Sequence, residues 1–199
     1  MENTAKKDKR IIHAFYNNQT IRVYQAYNNQ IAQEAQNLGK FGRSFKMDRM
    51  TWIKPSFLWM MYRSGWGTKE NQERILAIDI LREGFDKILE DVVLSTYRQD
   101  IYSSHEVWKE KLKKSNVRCQ WDPDRDIWGN PIARRAIQLG LKGDILHKYV
   151  NVWTVSITDI TEDVVRWRGE IRSRKFDNNV LPLEVEYPIS ENLKMILGG

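Results

Sequence analysis

Arg49-Met-Thr-Trp-Ile-Lys-Pro-Ser-Phe-Leu-Trp-Met-Met-Tyr-Arg-Ser-Gly-Trp-Gly67 is the most aromatic run of the chain, yet it carries Arg49, Lys54 and Arg63. Pro55 divides it. A residue before proline is pushed out of the helical region, so Met50 to Lys54 is expected to be extended. Ser56 to Ser64 is expected to form a short helix with Pro55 at its first position, where a missing N–H costs nothing. Gly65 and Gly67 supply the stop. An extended segment entering a helix start, with Lys54 beside the free N–H groups, is suited to an anion. The same run also fits a core, because Trp52, Trp59 and Trp66 recur at intervals of seven with Phe57, Met60 and Met61 between them. The two uses are compatible: ligand pockets are mostly apolar with a few placed polar groups.

Working outward, Thr20-Ile-Arg-Val-Tyr-Gln-Ala-Tyr27 alternates and is rich in β-branched and aromatic residues, which predicts a strand. Asn28 or Asn29 then caps a helix with Ile31, Ala32, Ala35 and Leu38 on one face, and Gly39 ends it. Ile75 to Leu81, apolar except for Asp79, reads as a buried strand, although a helix has the same periodicity signal. Phe85, Ile88, Leu89, Val92 and Val93 recur at helical intervals, and Ser103 with Glu106 forms a capping box for a helix to about Lys114. Val117, Cys119 and Trp121 alternate with Arg118, Gln120 and Asp122, so a strand would set the three polar residues on one face. Asp122-Pro-Asp-Arg-Asp-Ile-Trp-Gly129 reads as a loop, and Ala136 to Leu141 as either extended or helical. Residues 144–150 read as helix, Val152 to Ile157 as strand and Glu162 onward as helix. The prolines of Leu181-Pro-Leu-Glu-Val-Glu-Tyr-Pro188 confine it to an edge strand or a wrapped tail.

The 199 residues fit one domain, with 1–10 as a polar flexible tail and 11–199 as the globular part. A single cysteine, Cys119, rules out an internal disulfide framework and fits a reducing compartment. With no signal-peptide h-region and no apolar run long enough to span a bilayer, the chain reads as cytoplasmic, with no membrane partner. The formal net charge of +6 permits attraction to a polyanion without requiring it.

The residues exclude several chemistries. His13, His105, His147 and Cys119 are isolated, so no zinc site is expected; Asp122, Asp124 and Asp126 leave a carboxylate-bound Mg²⁺ open, although the overall expectation is no metal. Asp122, Asp124 and Asp126 have the spacing of a calcium loop but lack its glutamate and contain Pro123. The only G-x-G, Gly65-Trp-Gly67, follows a helix rather than a strand, the wrong context for a dinucleotide fingerprint. What remains is a polar set within apolar elements: Tyr24, Gln25 and Tyr27; Trp52, Lys54, Ser56, Tyr62 and Arg63; and Arg118, Gln120 and Asp122. Cations near a helix start suit phosphate, a flat aromatic suits a nucleotide ring, and an acid at a strand end suits a developing cation or a ribose hydroxyl. A separate run, Arg166-Trp-Arg-Gly-Glu-Ile-Arg-Ser-Arg-Lys175, fits either a solvated helix face or a nucleic-acid contact through Arg166, Arg168, Arg172, Arg174 and Lys175.

The central stretch, with Val23-Tyr-Gln-Ala-Tyr27, Gln120-Trp-Asp-Pro123 and Tyr187-Pro188, closely resembles domain-of-unknown-function family 4291 over nearly the whole chain. More distantly, Val23 to Tyr27 with its capped helix looks like the opening of ADP-ribosyltransferases, and Gln120-Trp-Asp122 like their late (Gln/Glu)-x-Glu element. Two positions depart from that pattern: Gln25 stands for the His or Arg that contacts NAD, and Asp122 for the glutamate that orients the nicotinamide ribose. The expectation is an α+β single domain around a mixed or antiparallel sheet, the Trp-rich helix packed on it, with an ADP-ribosyltransferase-like core. The resemblance implies NAD as the bound nucleotide, transfer or hydrolysis of ADP-ribose, Asp122 and Gln120 as catalytic residues, and Tyr24 and Gln25 on the nicotinamide side. The chemistry of Trp52, Lys54, Ser56, Tyr62 and Arg63, which the resemblance does not align, adds them around the nucleotide. The alternative is an RNA- or DNA-binding or RNA-processing module that uses the 166–175 run.

Overall fold

Alternation along the strands sorts apolar side chains onto opposed sheet faces, and that sorting organises the architecture. The computed structural model describes residues 9–199, apart from the side chain of Asn178. The chain runs β1 (Lys9–Arg10), β2 (His13–Ala14), β3 (Thr20–Tyr27), α1 (Asn29–Leu38), β4 (Thr51–Ile53) and α2 (Phe57–Ser64). It continues through β5 (Arg74–Leu81), α3 (Arg82–Glu90), β6 (Val92–Leu94), α4 (His105–Lys114), β7 (Val117–Arg125) and β8 (Pro131–Leu141). Then come α5 (Gly143–Lys148), a π-helical turn (Tyr149–Trp153), β9 (Thr154–Asp159), α6 (Thr161–Arg172), a short 3₁₀ turn (Asn178–Val180), β10 (Val185–Glu186) and α7 (Glu191–Leu197).

One sheet has the order β3-β5-β9, all antiparallel. In the second, β1-β8-β7-β6, the edge of β8 also receives β4, and the β1–β8 and β6–β7 pairs are parallel. The two meet where Tyr24 N–H donates to the Lys54 carbonyl at 2.7 Å and Lys54 N–H returns to the Tyr24 carbonyl at 3.3 Å. The result is one curled mixed sheet in a single α+β domain. Ile21, Val23, Leu76, Ile78 and Ile80 from one half face Ile53, Val117, Cys119, Ile137 and Leu139 from the other in the main core, with helices α1, α3 and α5 closing it. On the other face of β3 and β5, Tyr24, Ile75 and Ala77 pack beneath Phe57, Met60 and Met61 of α2 and Val164 and Trp167 of α6. The central helix is thus packed on the sheet.

Several boundaries differ from expectation, each for a local reason. Ser56 is the N-cap of α2, accepting from Trp59 N–H, so Pro55 lies before the helix and not at its first position. Ser104 rather than Ser103 caps α4. Val92 and Val93 leave α3 and form β6, because pairing with Val117 and Arg118 outweighs a periodicity that continues past Asp91. Residues 122–125 belong to β7 and not to a loop: Pro123 pairs with Arg135 beside a register shift, where a missing N–H is tolerated. Ala136 to Leu141 is strand. Of the expected tail, 1–8 lie outside the described residues, but Lys9 and Arg10 pair with β8. The proline-bounded segment near the C-terminus does form an edge ribbon, β10 against β2. Among the described residues no helix is long and apolar enough to cross a membrane.

Candidate functional site

The polar face of the second sheet is set by register. On β7 and β8, Arg118 lies opposite Gly140, Gln120 opposite Gln138 and Asp122 opposite Ala136. On β4, Trp52 lies opposite Gly140, and Lys54 follows two residues on, toward Gln138. Side-chain alternation therefore collects Trp52, Lys54, Gln138, Arg118, Gln120 and Asp122 on one face, away from the apolar face of Ile53, Cys119 and Leu139. Gly140 is what allows the aromatic to lie down: a Cβ there would sit 2.6 Å from Met50 Sδ and 3.0 Å from Trp52 Cζ2.

Asp122 is held by two amides. Gln120 Nε2 donates to Oδ1 at 2.9 Å and Gln138 Nε2 to Oδ2 at 2.7 Å. Neutral donors fix the carboxylate without cancelling its charge, as an arginine would. Lys54 is 7% exposed, and among the described residues nothing hydrogen-bonds to its ammonium. Burial, with Arg63 nearby, pulls its pKa down to about 8, while Asp122 opposes that shift. Arg118 Nε is also buried without a partner. The face thus presents one carboxylate and donors that lack acceptors. No three His, Cys, Asp or Glu side chains gather to hold a metal among the described residues.

The start of α2 is arranged differently from expectation. Glu184, from the segment before β10, accepts from Phe57 N–H at 2.5 Å. Ser56 Oγ reaches Asp124 at 3.4 Å, and Asp124, 1% exposed, pairs with Arg134 at 2.6 Å. The acceptor at this helix start is the chain's own Glu184 carboxyl group, so Ser56 and Lys54 do not form a phosphate cradle there.

Other expected residues lie elsewhere. Gln25 faces the main core, where Nε2 donates to Thr51 Oγ1 at 2.9 Å and the Trp52 carbonyl at 3.2 Å while Oε1 accepts from Tyr149 at 2.7 Å. Tyr24 points the opposite way, into the α2–α6 cluster, edge-on to Phe57 at 5.4 Å. Gln25 therefore does not reach the polar face, whereas Tyr24, paired with Lys54 across the strands, leaves the sheet on the Lys54 side and has its hydroxyl buried without a partner. Tyr62 stacks on Trp59 at 5.5 Å and under the Arg125 guanidinium at 4.1 Å, on the exposed flank of α2, and Arg63 is exposed in its last turn. In the basic run, Arg166 pairs with Asp163 at 2.5 Å and Arg168 donates to the Trp66 carbonyl at 3.0 Å, so both have structural partners. Arg172, Arg174 and Lys175 are exposed. Gln138 and Glu184 were missed from sequence. A lone amide in Ala136-Ile-Gln-Leu-Gly-Leu141, next to a glycine, was the available signal for the first; nothing local marked the second.

The fold and face define an α+β protein whose curled sheet carries a polar, cation-bearing surface beside an aromatic helix. The chain belongs to the family described as a domain of unknown function, DUF4291, whose profile matches residues 11–187. No curated protein matches it.

Proposed function

We propose that the protein is an ADP-ribosyltransferase-like enzyme that binds NAD across the polar face of β4, β8 and β7. The observation carrying this reading is Asp122, fixed by Gln120 and Gln138 yet unneutralised, beside a buried lysine without a partner. The orphaned Arg118 Nε and the free Lys54 ammonium suit a ligand rich in phosphate oxygens, and the Trp52 ring beside them suits a flat heterocycle.

Bound there, NAD supplies an activated ribosyl group: its bond to nicotinamide breaks with the electron pair leaving on the nicotinamide, and the ribosyl carbon bonds to the oxygen of water or to an acceptor's nucleophilic atom, whose proton is released. Asp122 answers the positive charge that builds on the ribose, and preorganisation by the two amides means it need not reorient as that charge appears. Gln120 is then its positioning residue, joined by Gln138, and Lys54 and Arg118 offset the pyrophosphate charge. Gln25 and Tyr24 support the scaffold rather than the nucleotide.

The test is release of nicotinamide together with NAD affinity. Asp122→Asn should lower turnover by roughly a hundredfold or more, the scale of losing an electrostatic stabiliser, with affinity changed only a few-fold. Turnover and affinity both unchanged would sink the assignment.

A further inference from the structure

A second site lies at the tip of the β7–β8 hairpin. Ile127 and Trp128 face Arg174 and Phe176, from the segment after α6, across a cleft of about 460 Å³. We propose that this cleft binds single-stranded nucleic acid, with a base stacked on Trp128 and the adjoining phosphate on Arg174. The inference does not depend on the NAD reading.

The argument starts from the bracing of the tip. Asp126 Oδ1 accepts from Trp128 N–H at 2.9 Å and Asn130 N–H at 2.8 Å, while Oδ2 accepts from Asn130 Nδ2 at 3.0 Å. Arg125 Nη1 donates to the Gly129 carbonyl at 3.2 Å, and its guanidinium lies over the Tyr62 ring, which is itself stacked on buried Trp59. The backbone of the tip is therefore fixed, yet the indole it carries is 56% exposed. A rigid, exposed tryptophan is a low-entropy anchor for a flat ligand.

Charge narrows the ligand. Arg174 lines the cleft, Arg172 and Lys175 near it in sequence are exposed too, and among the described residues none of the three forms an ion pair. Arg174 has φ of 56°, a left-handed backbone uncommon for a side chain of this size, and it lines the cleft. The neighbouring acids are engaged locally: Asp126 as above, and Asp177 with Asn179 N–H. An aromatic with unpaired cations matches a base with its phosphate, and a single strand is required because only unstacked bases present a free ring face.

The experiment is fluorescence anisotropy of a labelled 12-nucleotide single-stranded DNA at low salt. Wild type should bind, and raised salt should weaken it. Because the indole is exposed, Trp128→Ala should leave the melting temperature unchanged while weakening binding roughly tenfold or more, and Trp128→Phe should restore most of it. Arg174→Gln should weaken binding several-fold and flatten the salt dependence, and Met195→Ala should change nothing. No binding by wild type, equal binding by Trp128→Ala, or displacement of the strand by poly-glutamate as readily as by unlabelled DNA would each overturn the proposal.

Discussion

Phe57 N–H donates to the Glu184 carboxyl group at 2.5 Å, so the open end of α2 is closed by an acid from the far end of the sequence. The bond ties the aromatic helix to the C-terminal segment and keeps that helix start from serving a ligand. It also gathers two acids, since Asp124 lies close enough to raise the Glu184 pKa further.

This arrangement should be visible in the pH dependence of stability. Burial pushes the Glu184 carboxyl up to about 8 from its ordinary 4.5, and the Phe57 N–H and Arg134 only partly offset it. A raised carboxyl pKa means that the folded state holds the proton longer than the unfolded state. The associated stability is complete below about pH 4.5 and is lost as pH rises through about 8. Glu184→Gln should flatten the decline and be more stable than wild type at pH 8.5, by on the order of 2 kcal/mol after allowance for partial solvation. Urea unfolding from pH 5 to 8.5 measures this, and a wild-type profile retained in the variant would contradict it.

Lys54 has the opposite sign. Its folded pKa of about 8 lies below the ordinary 10.5, so the folded state sheds its proton first. The penalty is fully present below about pH 8 and is relieved as pH rises toward 10.5. Lys54→Met should therefore raise stability at pH 7, by on the order of 1–3 kcal/mol. The same substitution should weaken NAD binding, since an anion on this face is what would favour the charged amine. Melting curves paired with calorimetric titration decide the matter, and a variant that is less stable than wild type would show that the ammonium has a partner in solution.

Gln25 separates a scaffold role from a binding one. Its amide joins β3 to Thr51, to the Trp52 carbonyl and to Tyr149. Gln25→Ala removes all three contacts and leaves the buried Tyr149 hydroxyl without an acceptor, while Thr51 keeps its bond to Tyr27, at a cost of about 2–4 kcal/mol. The urea midpoint should fall at constant slope, with NAD affinity within twofold of wild type. A large loss of affinity without loss of stability would restore Gln25 to the nucleotide site.

What the sequence discloses follows how local each signal is. Strand β3 and helices α1 and α2 were readable because alternation, an Asn or Ser cap and a left-handed glycine all lie within the segment they define. Asp122 with Gln120 was readable by the same two-residue period. The extension of β7 through Pro123 was not, because the aspartates and proline carry turn chemistry and only pairing with β8 overrides it. Gln138 and Glu184 escaped for a related reason: their meaning depends on partners on other strands and at another helix end. Likewise, alternation implied that Tyr24 and Gln25 face opposite ways, but not which face would be core.

Gly84 offers a case where two effects oppose and their magnitudes decide. It lies inside α3, where replacing glycine by alanine ordinarily stabilises by about 1 kcal/mol. Here a Cβ would lie 2.3 Å from Cγ and 2.6 Å from Cδ2 of Trp153, whose ring is buried where the π-helical turn meets the core. A flat ring wedged in a core cannot yield as the end of a long side chain does, and overpacking of this kind costs about 1–3 kcal/mol or more. Contact closer than any normal van der Waals separation places Gly84→Ala at the upper end of that range, so the steric cost wins. The variant should be destabilised by about 2 kcal/mol net. The cause can be isolated with a double-mutant cycle. In a Trp153→Leu background the same glycine substitution meets a smaller side chain, and its cost should shrink or change sign, giving a coupling above about 1 kcal/mol. Equal cost in both backgrounds would mean that the backbone of α3, rather than the indole, requires glycine at this position.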